Sequence, residues 1–507
     1  MARLPTEILC SIFDTVLDYA AKYRDIIILT AVCRHWRKVA IAYPLLWTRI
    51  FTGMPVKHLG RFLRRSHGLP LDFAISGTWA NADHWNHFFE HIGRCRKISI
   101  SDIPAQWLSE MAEWVDSPAP ILEELELAAL PSANTHDVHN DVTLFDQTTP
   151  NLWRVRIDTL RLPRSAFAIF LNITHLEFAF GHGIRSRGQS VNGILPSQTY
   201  LLHILTCAPM LQDAIFERYG TTSTPYFHDY DRNSHPRVKL EHLDRLVLQG
   251  MAPQEMAFLN VLDVPLECNI RLGVDLAKHQ SFGPFLEVLE NSSGGLRNLF
   301  RVQETTFAGS SSTNADRWAV HLWDGDSKLA FAIIFRNPQS KEQTETLIWL
   351  IARVLFKRYN PTCLAWSNMT SQFVASSGIF IRVLLSHPGI TDLAFDDCEF
   401  VSEALTLILA SEKTKESVAP NLSYLALLRC AGVAPQLLVD LARAKDMRKM
   451  GFRKMRVREC PQMIRRAMND LRWWVEHVEW DQDEDWDGWS LMADVDSDET
   501  RDVNSVS

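Results

Sequence analysis

The chain has 507 residues, of which 46% are hydrophobic and 22% charged, enough apolar material for a large buried core and for two or three domains, which argues against a chain disordered throughout. Nine cysteines, an odd number with no C-x-x-C pair among them, argue against a disulfide framework and a structural zinc site, and suit a reducing compartment, cytoplasmic and/or nuclear. The net charge of −8 is unevenly spread: residues 1–65 carry +7, residues 1–475 as a whole carry +3, and residues 476–507 carry −11.

Charged residues at the N-terminus, with no long apolar run behind them, do not read as a secretory signal. The most apolar later stretch, Leu347 to Phe356, is interrupted by Arg353 and is about half the length that spans a bilayer, so no membrane association is expected. Apolar side chains at Ile8, Leu9, Ile12, Phe13, Val16 and Leu17 predict a first helix with a single apolar stripe. Pro5 suits its first turn, and Glu7 sits near the positive end of its dipole. A second helix is predicted from near Asp25, with the stripe Leu29, Val32, Cys33, Trp36 and Val39. Tyr43-Pro44-Leu45-Leu46-Trp47 ends the unit, because Pro44 disfavours helix at Tyr43. So small a helical module buries little surface by itself and gains stability by packing leftover apolar surface on a second chain.

Three blocks in this order, Leu4-Pro5-x-Glu7-Ile8-Leu9-x-x-Ile12-Phe13, Leu29-x-x-Val32-Cys33-Arg34-x-Trp36 and Pro44-Leu45-Leu46-Trp47, closely resemble the F-box. The resemblance implies docking to a Skp-family adaptor, and through it to a cullin ubiquitin ligase of the SCF type. It assigns the adaptor-facing surface to Leu4, Pro5, Ile8, Ile12, Leu29, Val32 and Trp36, while Phe13, Cys33 and Trp47 are open to a role in the module's own core. The stretch from Tyr19 to Arg24 is longer than in many F-boxes. The competing reading is a plain helical cap on the following domain. The basic head lacks the aromatic interleaving of a nucleic-acid surface, so no nucleic acid is expected; a solvated helix face accounts for it, and complementarity to an acidic adaptor is the other account.

Residues 58–76 predict a short helix on Leu59, Phe62 and Leu63, a break at Gly68 and Pro70, and a strand on Leu71, Phe73 and Ile75. This segment resembles the one that follows the F-box in a large fungal family of F-box proteins with repeat-like bodies. An apolar-x-x-apolar-x-apolar pattern then recurs as Cys95-Ile98-Ile100, Leu122-Leu125-Leu127, Leu152-Val155-Ile157, Ile173-Leu176-Phe178, Leu211-Ala214-Phe216 and Leu243-Leu246-Leu248. After a gap it returns as Ile390-Leu393-Phe395, Leu422-Leu425-Leu427 and Met447-Met450-Phe452, with 21 to 38 residues between consecutive copies on either side of the gap. Several copies follow a proline, as at Pro150-Asn151 and Pro420-Asn421, and helices are predicted between copies, as at 198–207 and 434–442.

A strand-plus-helix unit of this length is the pattern of leucine-rich repeats, whose apolar faces are buried only by stacking. The Asn/Cys ladder position of regular repeats reads as largely absent, and an irregular α/β protein is the alternative. Residues 301–336 break the period, with two alternating strands around Asp324-Gly325-Asp326 predicting a hairpin insertion.

Beyond Asp481 the density of charge predicts a disordered acidic tail. Within it, Asp483-x-Asp485-x-Asp487-Gly488 approaches an EF-hand calcium loop but has Asp494 where a bidentate Glu is needed. His136 and His139 share a polar loop with Asp137 and Asp141 that lacks four ligands of evident geometry. Gly181-His182-Gly183 fails the dinucleotide fingerprint. No catalytic constellation, cofactor motif or metal site is found, so a non-enzymatic protein is expected.

The expected fold is α/β: an N-terminal three-helix F-box module over 1–50, a linker helix and first strand over 51–85, an irregular leucine-rich-repeat-like solenoid over 86–480 with an insertion near 301–336, and an acidic disordered tail over 481–507. The expected function is a substrate-recognition adaptor of an SCF-type ligase whose repeat body binds an unknown target protein. The alternative is a repeat-based interaction scaffold without ligase recruitment.

Overall fold

A computed structural model describes residues 4–480 apart from 20–22, 52, 78–79, 81, 104–116, 130–143, 146–148, 159, 161, 163, 181–197, 219–236, 252–258, 277–282, 291–301, 310–316, 325–327, 337–339, 413, 415–416 and 449. The acidic tail with its calcium-like sequence, the His136/His139 loop and the Gly181-His182-Gly183 run therefore lie outside the described residues.

The N-terminal stripes fold into helices α1 (Thr6–Tyr19), α2 (Tyr23–Ala31) and α3 (Arg34–Ala42), followed by a 3-10 turn over Pro44–Trp47. The single second helix expected after Asp25 is in fact two. Cys33 is extended (φ −159°, ψ 172°), and its Sγ accepts the Trp36 N–H at 3.5 Å, so the thiol caps α3. The break splits the expected stripe, leaving Leu29 and Val39 inside and Val32 outside. The core of the bundle is Leu9, Phe13, Ile26, Leu29, Val39, Ala40 and Leu46. Trp47, fully buried, donates its indole N–H to the Ala40 carbonyl at 2.7 Å and meets the Phe62 ring edge-on at 4.8 Å. It thereby ties the three helices to α4 (Val56–Arg65).

The chain divides into two compact units, residues 1–273 with 293–296, and residues 274–292 with 297–507. In the first, strands β1 (Arg49–Ile50), β2 (Leu71–Ser76), β3 (Cys95–Ile103), β4 (Glu124–Ala129), β5 (Arg154–Asp158), β6 (His175–Phe180) and β7 (Asp213–Arg218) pair in chain order, all parallel. A two-residue pair, β8 (Val238–Lys239) with β10 (Leu262–Asp263), stands apart. β9 (Arg245–Met251) continues from β7 in parallel, and β11 (Asn269–Asp275) pairs with β9.

Parallel neighbours need crossovers. Here these include α5 (Ala82–His91), a 3-10 segment over Arg164–Asn172 and α6 (Gln198–Cys207). The recurrent triplets of this unit have their last two apolar residues on one face of a strand, giving a buried row of Phe73, Ile98, Leu125, Val155, Leu176, Ala214 and Leu246 in direct register. The first members Leu122, Leu152, Ile173, Leu211 and Leu243 are buried in the turn before the strand, where a Pro-Asn pair has a definite job. Asn151 Nδ2 donates to the Pro120 carbonyl at 2.9 Å, tying one unit to the one before it. Asn421 does the same to Pro388 at 2.8 Å in the second compact unit.

The opposite face of these strands carries charges that neutralise one another across the register. Lys97 meets Glu124 at 2.8 Å, Arg156 meets Glu177 at 3.3 Å, and Arg245 grips both oxygens of Asp213 at 2.9 and 2.8 Å.

The second unit contains β12 (Val302–Gly309), β13 (Arg317–Asp324) and β14 (Leu329–Arg336), antiparallel in sequence, as the hairpin reading expects. Asp324 and Lys328 close the hairpin by a backbone bond of 3.0 Å. β12 then pairs in parallel with β15 (Cys363–Ser367), and β16 (Asp392–Asp396), β17 (Tyr424–Leu428), β18 (Lys454–Arg458) and β19 (His477–Trp480) follow, each parallel to the last.

The helices between them are α8 (Lys341–Tyr359), α9 (Gly378–Ser386), α10 (Val401–Glu412), α11 (Pro435–Met447) and α12 (Arg465–Leu471); α7 (Gly283–Glu290) precedes them all. The apolar stretch 347–356 is part of α8, and among the described residues no helix is long and apolar enough to cross a membrane.

Two findings correct the expected repeat pattern. Met447-Met450-Phe452 is not a copy: Met447 ends α11 and Met450 is exposed, whereas Phe452, Met455 and Val457 are buried and lead into and line β18. The second is a recurrence of buried residues just past four parallel strands, which the triplet alone does not reveal. One residue past each strand the backbone turns left-handed, at Asn368, Asp397, Arg429 and Glu459 (φ 47° to 53°), and the next residue points inward: Met369, Cys398, Cys430 and Cys460. Cys430 Sγ donates to the Phe395 carbonyl at 3.4 Å, and Cys460 Sγ to that of Leu427 at 3.8 Å, each reaching the preceding strand. Burial pushes the Cys398 thiol up to about 12, so it is an inert packing group. Cys430→Ala should cost this unit about 1 kcal/mol in a urea titration, the loss of a small buried group and a weak bond.

Candidate adaptor-docking site

The N-terminal bundle fills its own core with one half of each stripe and leaves the other half in solvent. On α1 the pair Leu9 and Phe13 is buried, while Ile8 is 49% exposed and Ile12 is half-buried. On α2 four apolar residues run in succession, Ile26 to Leu29, and a helix cannot turn all of them inward. Ile26 and Leu29, three apart, take the core, and Ile28 is exposed. Val32, just past the end of α2 and four residues from Ile28, is 55% exposed.

The residues expected to face an adaptor therefore divide. Leu4, Pro5, Ile8 and Val32 are exposed, and Ile12 and Trp36 are half-buried. Leu29 is 8% exposed and is a core residue of the bundle. Ile28 was not anticipated; the signal that could have found it is the unbroken apolar run in the middle of α2. Of the residues left open between core and surface, Phe13 and Trp47 are fully buried and Cys33 is the exposed cap of α3.

The exposed side chains sit on a fixed frame. A ring nitrogen of His35 lies 3.1 Å from the Leu4 carbonyl oxygen, which holds the start of the chain on the first turn of α3, three residues past Val32. Phe13 meets Trp36 edge-on at 5.6 Å, so the half-buried indole is braced from below. Arg37 Nε donates to the Thr30 carbonyl at 2.8 Å and clamps the end of α2. Tyr43 donates its hydroxyl to Asp14 at 2.6 Å; burial, then that carboxylate, pushes the phenol well above its usual range and keeps it a neutral donor. Arg34, Arg37 and Lys38 are exposed along α3, adding positive charge beside the apolar side chains.

This combination, a filled core under an apolar outer surface on three short helices, coincides with a match to a known family over residues 1–53. These residues form an F-box-like domain. The match spans the whole helical bundle, the 3-10 turn and β1. No curated protein matches the chain. Outside the F-box-like domain, the described residues contain no group of three or more His, Cys, Asp or Glu placed to hold a metal ion.

Proposed function

We propose that this protein is a substrate-recognition adaptor of an SCF-type ubiquitin ligase, in which the F-box-like domain docks a Skp-family adaptor and the strand–helix body holds a target protein. The observation that carries the reading is the exposure of Leu4, Pro5, Ile8 and Val32 on a bundle whose core is already complete, within a segment that matches the F-box-like family. Ile12, Trp36 and Ile28 extend that surface, and Leu29 supports it from inside. Covering the exposed parts of Leu4, Ile8, Ile28 and Val32 would contribute on the order of 1 kcal/mol each.

The body is read as leucine-rich-repeat-like. Support comes from the recurrent apolar triplet, the parallel register that stacks it, the Pro-Asn bridges and the cysteine ladder. In this reading the chain performs no chemistry of its own. It brings a bound target near the ubiquitin donor, and the rate gain is proximity. Nine free cysteines fit a cytoplasmic or nuclear location.

The test is co-purification of the full chain with a purified Skp-family adaptor and its cullin. The expected result is a stable 1:1 complex with the adaptor that brings the cullin with it. A folded chain that leaves the adaptor unbound at micromolar concentrations would instead favour a scaffold without ligase recruitment.

A further inference from the structure

The last strand–helix units carry a surface whose charge is not balanced within itself. From Arg443 to Trp473 there are eleven Lys and Arg against three Asp and Glu. Several are consumed internally: Lys445 and Arg448 pair with Glu412, and Lys454 and Arg456 with Glu479. Arg443, Arg453, Arg465 and Arg466 are exposed and form no ion pair among the described residues. Large apolar side chains of the same segment are exposed as well. Trp473 is 83% exposed and Met447 76%, with Met450 and Ile464 also in solvent. The Arg443 guanidinium lies 5.7 Å from the Trp474 ring, which joins α11 to the turn after α12 in one patch. Exposed methionine and tryptophan on the same last strand–helix units as exposed arginines form a surface suited to a segment that is both acidic and aromatic.

Such a segment follows directly in the same chain. Residues 481–507 hold ten acidic residues against the single Arg501, and include Trp486, Trp489, Leu491 and Met492. We propose that residues 481–507 dock in cis on this patch, with their carboxylates against Arg443, Arg453, Arg465 and Arg466 and with Trp486 and Trp489 against Met447 and Trp473. The segment begins one residue after β19, the last strand of the same unit. Fully extended, 27 residues reach up to about 90 Å, so tether length is no obstacle. A short tether gives an effective concentration on the order of millimolar, so a pairing too weak to see between separate molecules is occupied within one chain. The tail then acts as a built-in competitor, and any external ligand of the patch must be acidic and aromatic enough to displace it. This inference does not depend on adaptor docking.

The test places a photoreactive benzophenone amino acid at one tail position in the full chain, Trp486→p-benzoylphenylalanine, and maps cross-links by mass spectrometry after irradiation in dilute protein. Benzophenone reacts readily with methionine, and Met447 and Met450 lie in the patch. The expected result is intramolecular cross-linking to peptides containing Met447, Met450 or Trp473. Its yield should fall at least about fivefold in about 1 M salt, where screening shortens to about 3 Å. It should fall similarly in Arg443→Glu with Arg466→Glu. Both arginines are exposed, so circular dichroism should be unchanged; if it is not, the salt series on the unsubstituted patch decides alone. Cross-links mapping elsewhere, a yield indifferent to salt, or products that form only between molecules and rise with protein concentration would each overturn docking in cis.

Discussion

Replacing Ile8 and Val32 together by glutamate is expected to weaken binding of the full chain to a Skp-family adaptor by at least about 100-fold, while its thermal unfolding shifts by no more than about 1 °C. The asymmetry follows from where the two side chains stand. Both are about half exposed, and neither contributes to the buried set of Leu9, Phe13, Ile26, Leu29 and Val39 that holds the bundle together. Charging them costs the free protein almost nothing, because surface substitutions away from caps and buried partners fall within about 0.5 kcal/mol.

In the complex the same carboxylates would be trapped without partners at the centre of an apolar contact. Central positions of this kind cost about 2 kcal/mol or more each when disrupted, and a desolvated unpaired charge costs more. Titration calorimetry reads the affinity and a melt reads the fold. Leu29→Ala should give the opposite pattern, a loss of bundle stability with affinity lost only as folding is lost. If the Ile8/Val32 variant binds normally, the adaptor uses a different face and the docking assignment fails.

How much of this could be read from residue order depends on whether a feature is set locally. The α1 stripe and the alternating strands β13 and β14 were legible, because three- and four-residue spacing and two-residue alternation carry their own geometry, while the Gly325-Asp326 part of the expected turn lies outside the described residues. The break at Cys33 was not, since cysteine is an uncommon cap and the stripe through Val32 and Trp36 stays in phase across it. Which side of an apolar run faces inward was also hidden. Ile28 and Leu29 are adjacent and equally apolar, and only the position of α3 decides between them.

The repeat register failed at one point and took a second feature with it. Met447-Met450-Phe452 fits the triplet as well as Phe452-Met455-Val457 does. With the wrong choice, Cys460 no longer falls where Cys398 and Cys430 do, eight residues after the first apolar member, and the recurrence of buried cysteines disappears from view. The charge pairs across the strands, Lys97 with Glu124 and Arg245 with Asp213, exist only once register is known.

Glu412→Ala is expected to destabilise the second unit by about 3 to 5 kcal/mol, the usual cost of removing one member of a buried ion pair. Glu412 ends α10 with its carboxylate almost wholly enclosed, 3.0 Å from Lys445 Nζ and 3.2 Å from Arg448, and it accepts the Ser417 hydroxyl at 2.5 Å. Lys445 is equally enclosed and also donates to the Ala419 carbonyl. Its burial already lowers the ammonium pKa, and Glu412 is what opposes that shift.

Without the carboxylate the folded state must either hold a bare ammonium or release its proton, so the folded pKa falls further below the unfolded one. Below the folded pKa both states are protonated and the penalty is complete. As pH rises between the two values the folded chain sheds a proton that the unfolded chain keeps, and stability increases. The deficit of the variant should therefore shrink as pH is raised toward the ordinary lysine range. Hydrogen exchange of the α10 and α11 amides is the readout, because two compact units need not unfold together. Adding Lys445→Met to Glu412→Leu should restore most of the loss, since Arg448 is partly exposed and can turn to solvent. A single variant that exchanges like the parent at every pH would mean that Lys445 escapes to water, and that the pair does not hold α10 to α11.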